Sequence, residues 1–214
     1  SPAKTMKIDN DDFRHKNMPV FIKDTEEILG YLKELNYEEL KFIWKTSDKL
    51  ARLNFERIKS MDLYNNLTPA IIAFEGLQYQ YIAPGVFLVD ELDYIEKHLR
   101  ILSGFYGILK PFDGVVPYRL EMQSKLLNWK YDNLCELWNS KIAESIFSET
   151  NTIIDLASKE YSKPISKYLT KDIKMIEIVF GELIDGKIIE KATYAKMARG
   201  EMVRFMAENK IENE

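Results

Sequence analysis

The stretch from His98 to Met122, HLRILSGFYGILKPFDGVVPYRLEM, constrains this chain more than any other. A strand-like run, Leu99-Arg100-Ile101-Leu102, delivers Ser103-Gly104-Phe105-Tyr106-Gly107, after which Pro111, Asp113-Gly114 and Pro117 break the chain repeatedly. A strand ending in Ser-Gly, with a second Gly three residues on, can turn backbone N–H groups toward an anion. The same G-x-x-G spacing also occurs in ordinary tight turns. Tyr118-Arg119-Leu120-Glu121 follows directly. Arg119 can grip a phosphate or carboxylate bidentately, while Glu121 is either its ion-pair partner or a general base, with Tyr118 a second acid/base candidate. Such pairs are more often plain salt bridges than catalytic groups.

Around this stretch, two periodicities alternate. Apolar residues recur at three- and four-residue intervals over 24–35 (Ile28, Leu29, Leu32, Leu35) and over 131–147 (Leu134, Leu137, Trp138, Ile142, Ile146), which predicts helices. Ser47 reads as the N-cap of another helix carrying Leu50, Leu53 and Ile58 inward, and a last helix is expected over about 192–209, with Met197, Val203 and Met206 among its apolar positions. Short apolar runs at 70–74, 99–102 and 152–156 read as strands. The runs 175–180 and 187–189 flank Asp185-Gly186, a hairpin turn signal. The expected fold class is therefore mixed α/β, a single domain over 1–214 with a mixed, mainly buried sheet flanked by helices. At 214 residues, 46% hydrophobic and 30% charged, the chain can bury a core of that kind.

Two further groups of polar residues stand out. Ser1-Pro2-Ala3-Lys4-Thr5 sets a hydroxyl, a cation and a second hydroxyl on a Pro-stiffened segment, a set suited to phosphate or carboxylate; a frayed, solvated terminus gives the same pattern. Lys196, Arg199 and Arg204 fall on the last helix, either as a cationic stripe or as a solvated face balanced by Glu190, Glu201 and Glu208. Gly200 inside that helix costs about 1 kcal/mol against Ala, which calls for a close approach of backbone or ligand.

Other chemistries fit poorly. His15, His98 and Cys135 are too few for a zinc or iron–sulfur site, so no metal and no cofactor is expected. The lone Asp12-x-x-His15 reads as surface, and no P-loop, G-x-S-x-G or G-x-G-x-x-G is present. The net charge of −4 is carried by the first 97 residues, while 98–141 and 159–210 are modestly basic. That leaves room for a positive groove and excludes a uniformly basic coat. No run approaches the roughly 18 apolar residues of a membrane span. A single cysteine fits a reducing cytoplasm. Opening on Ser1, the chain reads as a processed or trimmed product.

Together these motifs resemble the YaaA-type peroxide-stress resistance family of bacteria. The matching blocks are SPAKTM (1–6), SDKLA (47–51), AIIAFEG (70–76) with Tyr79, LRILSGFYGILKP (99–111), PYRLEM (117–122), DLAS (155–158) with Glu160-Tyr161, and ARG (198–200) with Arg204-Phe205. They occur in family order across nearly the whole chain. Two departures are apparent: the short hydrophobic strand usual before SPAKT is missing, and family members continue some tens of residues further. A fragment or an unusually short member, incomplete at both ends, is expected. The resemblance implies a cytoplasmic protein that limits peroxide damage by lowering unincorporated iron. It also implies one unusual α/β fold with a positive cleft, a helix-hairpin-helix-like element and double-stranded DNA binding. On that reading Ser1, Lys4, Thr5, Ser103, Gly104, Tyr106, Gly107, Arg119, Lys196, Arg199 and Arg204 contact backbone phosphates, with no enzymatic step required. The alternative is an enzyme on a small phosphorylated or nucleobase-containing substrate, with Glu121 or Tyr118 as acid/base beside Lys4 and Arg119.

Overall fold

The computed structural model of the protein describes residues 1–9 and 13–212. Its centre is the breaker-rich stretch itself. From Ile101 to Met122 every residue is buried except Lys110, Arg119 and Glu121. Apolar side chains on both sides of the backbone put this segment inside, and its prolines and glycines keep its elements short.

The chain enters through β1 (Thr5–Met6), then α1 (Ile22–Glu34), α2 (Tyr37–Trp44) and α3 (Asp48–Ser60). Helix α1 buries Thr25, Ile28, Leu29, Tyr31 and Leu32, the face its spacing predicts. Asn36 opens α2 with a reciprocal cap: its side chain accepts the Glu39 N–H, and Glu39 accepts the Asn36 N–H. Ser47 does precede α3, without a side-chain capping bond. The buried face of α3 is Ala51, Asn54 and Ile58, while Leu50 and Leu53 are 42% and 47% exposed. The helix is rotated one position from the expected stripe, so that small Ala51 faces the core.

Next come β2 (Thr68–Pro69), α4 (Ala70–Ala73), β3 (Phe74–Glu75), α5 (Leu77–Ile82), a 3-10 turn (Pro84–Val86) and α6 (Val89–His98). The strand expected at 70–74 is thus mostly a single helical turn. Ala70 N–H and Ile71 N–H donate to the Asp113 and Pro111 carbonyls at 2.9 Å, while Phe74 N–H closes back on Ala70. Tertiary hydrogen bonds override the local strand preference there.

In the centre, β4 (Ile101–Ser103) pairs antiparallel with β5 (Gly107–Leu109), and β6 (Gly114–Val115) pairs with β2; β1 pairs with β3. The Ser103 hydroxyl accepts the N–H groups of Phe105 and Tyr106 at 3.1 and 2.9 Å, closing the β4–β5 turn, and Gly107 takes φ +72. The helix expected over 131–147 is two, α7 (Leu134–Trp138) and α8 (Lys141–Phe147), broken where Asn139 takes φ 42. Then β7 (Thr152–Asp155), α9 (Lys159–Ser166) and β8 (Lys174–Glu177) form a parallel β-α-β unit. A hairpin of β9 (Glu182–Ile184) and β10 (Lys187–Ile189) turns on Asp185 and Gly186, both at positive φ as the type I′ signal requires. Its first strand lies further along than the 175–180 run. The last helix, α10 (Ala192–Asn209), runs as expected and buries Val203, with Met197 and Met206 half-buried.

The mixed α/β class therefore stands, with its strand pairing divided among the described residues into five two-stranded ladders, four antiparallel and one parallel. No described helix is long and apolar enough to cross a membrane.

Candidate anion-binding cleft

Tyr118, Leu120 and Met122 turn into the core, and Arg119 and Glu121, only partly buried, share the other side of the segment, as residues two apart do on an extended backbone. Gly104 fixes the depth of this strip. A Cβ there would lie 2.6 Å from the Leu120 carbonyl oxygen and 2.9 Å from the Glu121 carbonyl carbon, so only glycine lets the two backbones touch. Trp138 locks the same residue from behind, its Nε1–H donating to the Gly104 carbonyl at 2.9 Å.

Glu121 is the meeting point. Its Oε1 lies 3.0 Å from Lys4 Nζ and 3.4 Å from the Arg119 guanidinium. Lys4 is brought there by β1. The Arg119 side chain is only 9% exposed, and its Nε is buried without a hydrogen-bond acceptor. A guanidinium has five donors in a fixed fork, and the Nε–H is one of them left without an acceptor.

The opening segment is pinned. Ser1 Oγ accepts the Ser158 N–H at 2.9 Å and lies 3.3 Å from the Ser158 hydroxyl; the Ser1 carbonyl accepts the Tyr79 hydroxyl at 3.0 Å. Ser158 is the N-cap of α9, so the β7–α9 turn and the first residues form one wall. The Ser1 nitrogen lies within electrostatic range of Arg199 and Asp155. From the first turn of α9, Glu160 Oε1 accepts the Gln123 N–H at 3.1 Å. Burial pushes the Glu160 carboxyl above its ordinary value, Glu121 adds to the shift, and Lys4 opposes it.

The family-model match to "Peroxide stress protein YaaA" covers residues 1–214. A UPF0246 protein of Pediococcus pentosaceus is 53% identical over 213 residues, spanning 100% of this chain and 85% of that protein. A UPF0246 protein of Agathobacter rectalis is 55% identical over 213 residues, 100% of this chain and 86% of its own. This chain belongs to the YaaA peroxide stress protein family.

In this YaaA-family chain the remaining sequence candidates are not all in the cleft. Thr5 is exposed on β1 opposite Glu75. Ser103, Gly104, Tyr106 and Gly107 are buried, and the turn's Phe105 and Tyr106 N–H groups are spent on the Ser103 hydroxyl. Their visible work is to support the Arg119–Glu121 strip. Tyr118 lies in the core with its hydroxyl 2.6 Å from Ser103 Oγ, and burial pushes its pKa far up. On α10, Arg199 is 13% exposed and pairs with Glu190 at 2.6 Å, with its Nε buried and without an acceptor. Arg204 is five residues on, about 140° around the helix. It pairs with Glu208 and lines an open concavity of about 480 Å³ with Gln80, Tyr81, Glu201 and Phe205. Lys196 is exposed. The stripe is thus split, with Arg199 within electrostatic range of the Ser1 nitrogen and Arg204 at the open concavity.

Sequence reasoning passed over Tyr79, Asp155, Ser158 and Glu160 as site residues. Each sits in a block that carries the resemblance, but nothing local shows that α9 folds beside Ser1. Among the described residues, no three of His, Cys, Asp and Glu gather as a metal site; Asp12, read with His15 as surface, lies outside them.

Proposed function

We propose that the protein serves in peroxide stress by binding a phosphate-bearing polyanion, double-stranded DNA, at the cleft of Lys4, Arg119 and Arg199, and that unincorporated iron falls as a consequence of that binding. The observation carrying this reading is Arg119, a nearly buried guanidinium with an unfilled Nε and a long 3.4 Å contact to a carboxylate that Lys4 already holds. Leaving a buried donor unsatisfied costs about 1–3 kcal/mol, which a phosphate oxygen would recover. Among the described residues, no cluster of carboxylates offers a site for direct iron chelation.

Binding of a duplex oligonucleotide at two salt concentrations tests the reading. Arg119→Ala should weaken it by about 1–3 kcal/mol and reduce the salt slope by about one. Unchanged affinity and slope would remove Arg119 from the interface.

A second reading is favoured by the depth of Arg119. At 9% exposure it is better reached by a small phosphorylated or nucleobase-containing molecule than by a rigid duplex. In that case Glu121→Gln stops turnover while binding persists.

A further inference from the structure

We infer that Glu160 is a specificity-determining residue of this cleft, accepting an N–H from the amino group of a nucleobase whose phosphate Arg119 and Lys4 hold; this rests on the phosphate-binding reading above. The two carboxylates of the cleft are not equivalent. Glu121 is shared between two cations, Lys4 at 3.0 Å and Arg119 at 3.4 Å. Glu160 lies close enough to both Glu121 and Lys4 to feel their charges, yet has no cation within ion-pair distance among the described residues; its partners are the backbone N–H groups of Gln123 and Met122.

An ionised carboxylate only accepts hydrogen bonds. Glu160 Oε1 accepts the Gln123 N–H at 3.1 Å, and with no cation in ion-pair reach among the described residues its remaining acceptor capacity is open to an incoming donor. The neighbouring guanidinium with an unfilled Nε calls for an oxyanion at the same time. A nucleotide whose base presents an exocyclic amine carries both groups, and it is the ligand class proposed here. Adenine and cytosine offer that donor, whereas hypoxanthine and uracil place a carbonyl at the same position, which a carboxylate repels. Such a base reaches the cleft either in a strand or as a free nucleotide.

Equilibrium binding of AMP against IMP, and of CMP against UMP, measures this directly. The same comparison in short single-stranded oligonucleotides, adenine against hypoxanthine and cytosine against uracil, separates strand from free nucleotide. Wild-type protein should prefer the amino-bearing member of each pair by about tenfold in whichever form binds. Glu160→Gln should bring the ratio close to one, because an amide both donates and accepts, while Glu160→Asp should retain part of the preference. Arg119→Ala should weaken both members of a pair equally. No preference in the wild type overturns the assignment of Glu160, as does a preference that survives in Glu160→Gln with only melting temperature lowered. In either case an effect of Arg119→Ala leaves the phosphate reading intact. Failure of every nucleotide and duplex to bind, with Arg119→Ala indistinguishable from wild type, overturns both together.

Discussion

Asp113 shows how one buried side chain ties stability to pH. It is 3% exposed, its Oδ2 accepts the Lys110 N–H at 2.8 Å, and burial pushes its carboxyl up to about 6, with Glu96 nearby adding to the shift. Ionisation is disfavoured in the folded state, so the contribution to stability is full below the unfolded value of 3.8 and is lost as pH rises to about 6. Asp113→Asn removes that penalty and keeps an acceptor for Lys110. Chemical denaturation from pH 4 to 7 should show the variant gaining on the wild type across this window, by up to about 3 kcal/mol. A difference that does not change with pH would refute the buried-carboxylate account. Gly104 acts through space alone. Gly104→Ala should cost about 1–3 kcal/mol or more, because the Cβ meets backbone atoms that cannot swing away. It should also disturb anion binding through Glu121. Unaltered urea midpoint and affinity would disprove the close packing of these two segments.

Among the elements, α10 crosses α5 at Gly200, where a Cβ would lie 2.3 Å from the Gln78 carbonyl oxygen and 2.7 Å from Tyr81 Cβ. On a solvated helix, Gly→Ala stabilises by about 1 kcal/mol. At this crossing Gly200→Ala should instead destabilise, and the sign of the change in unfolding free energy is the test. The same crossing fixes which face of α10 carries Arg199 toward Ser1 and which carries Arg204 to the open concavity. Two corrected elements have the same origin. Leu50 and Leu53 have the right spacing, but α3 packs through Ala51. Residues 70–74 are rich in strand formers, but their N–H groups find acceptors on 111–113.

At the scale of the molecule, stability is graded from the centre outward. The β4–β5 pair is buried throughout, whereas β9–β10 exposes every residue, including Leu183, Ile184, Ile188 and Ile189. Hydrogen exchange should therefore be slower in the β4–β5 pair than in the β9–β10 hairpin, by several orders of magnitude. Equal protection would mean that the hairpin is covered in solution. The charge pattern also has a global consequence. Lys4, Arg119, Arg199 and Arg204 each have a carboxylate partner, so a polyanion bound as proposed must displace or share these pairs. Its salt dependence should stay shallow beside that of a basic nucleic-acid coat.

By itself the sequence determined the mixed α/β class, the positions of α1 and α10, and the type I′ turn at Asp185-Gly186. These follow from periodicity, turn stereochemistry and spacing within a few residues, all of which are local. It also carried the family blocks that mark the chain as a YaaA member. Only the tertiary structure decided that Lys4 joins Glu121 and that Ser1 docks on Ser158. The entry of Glu160 into the cleft and the enclosure of the Ser103–Gly107 turn belong to it as well. Those outcomes depend on contacts between segments 37 to 157 residues apart, or on which face of a helix meets a neighbour. Such contacts are set by side-chain volume and by competing backbone hydrogen bonds across the core, and no periodicity within one segment encodes them.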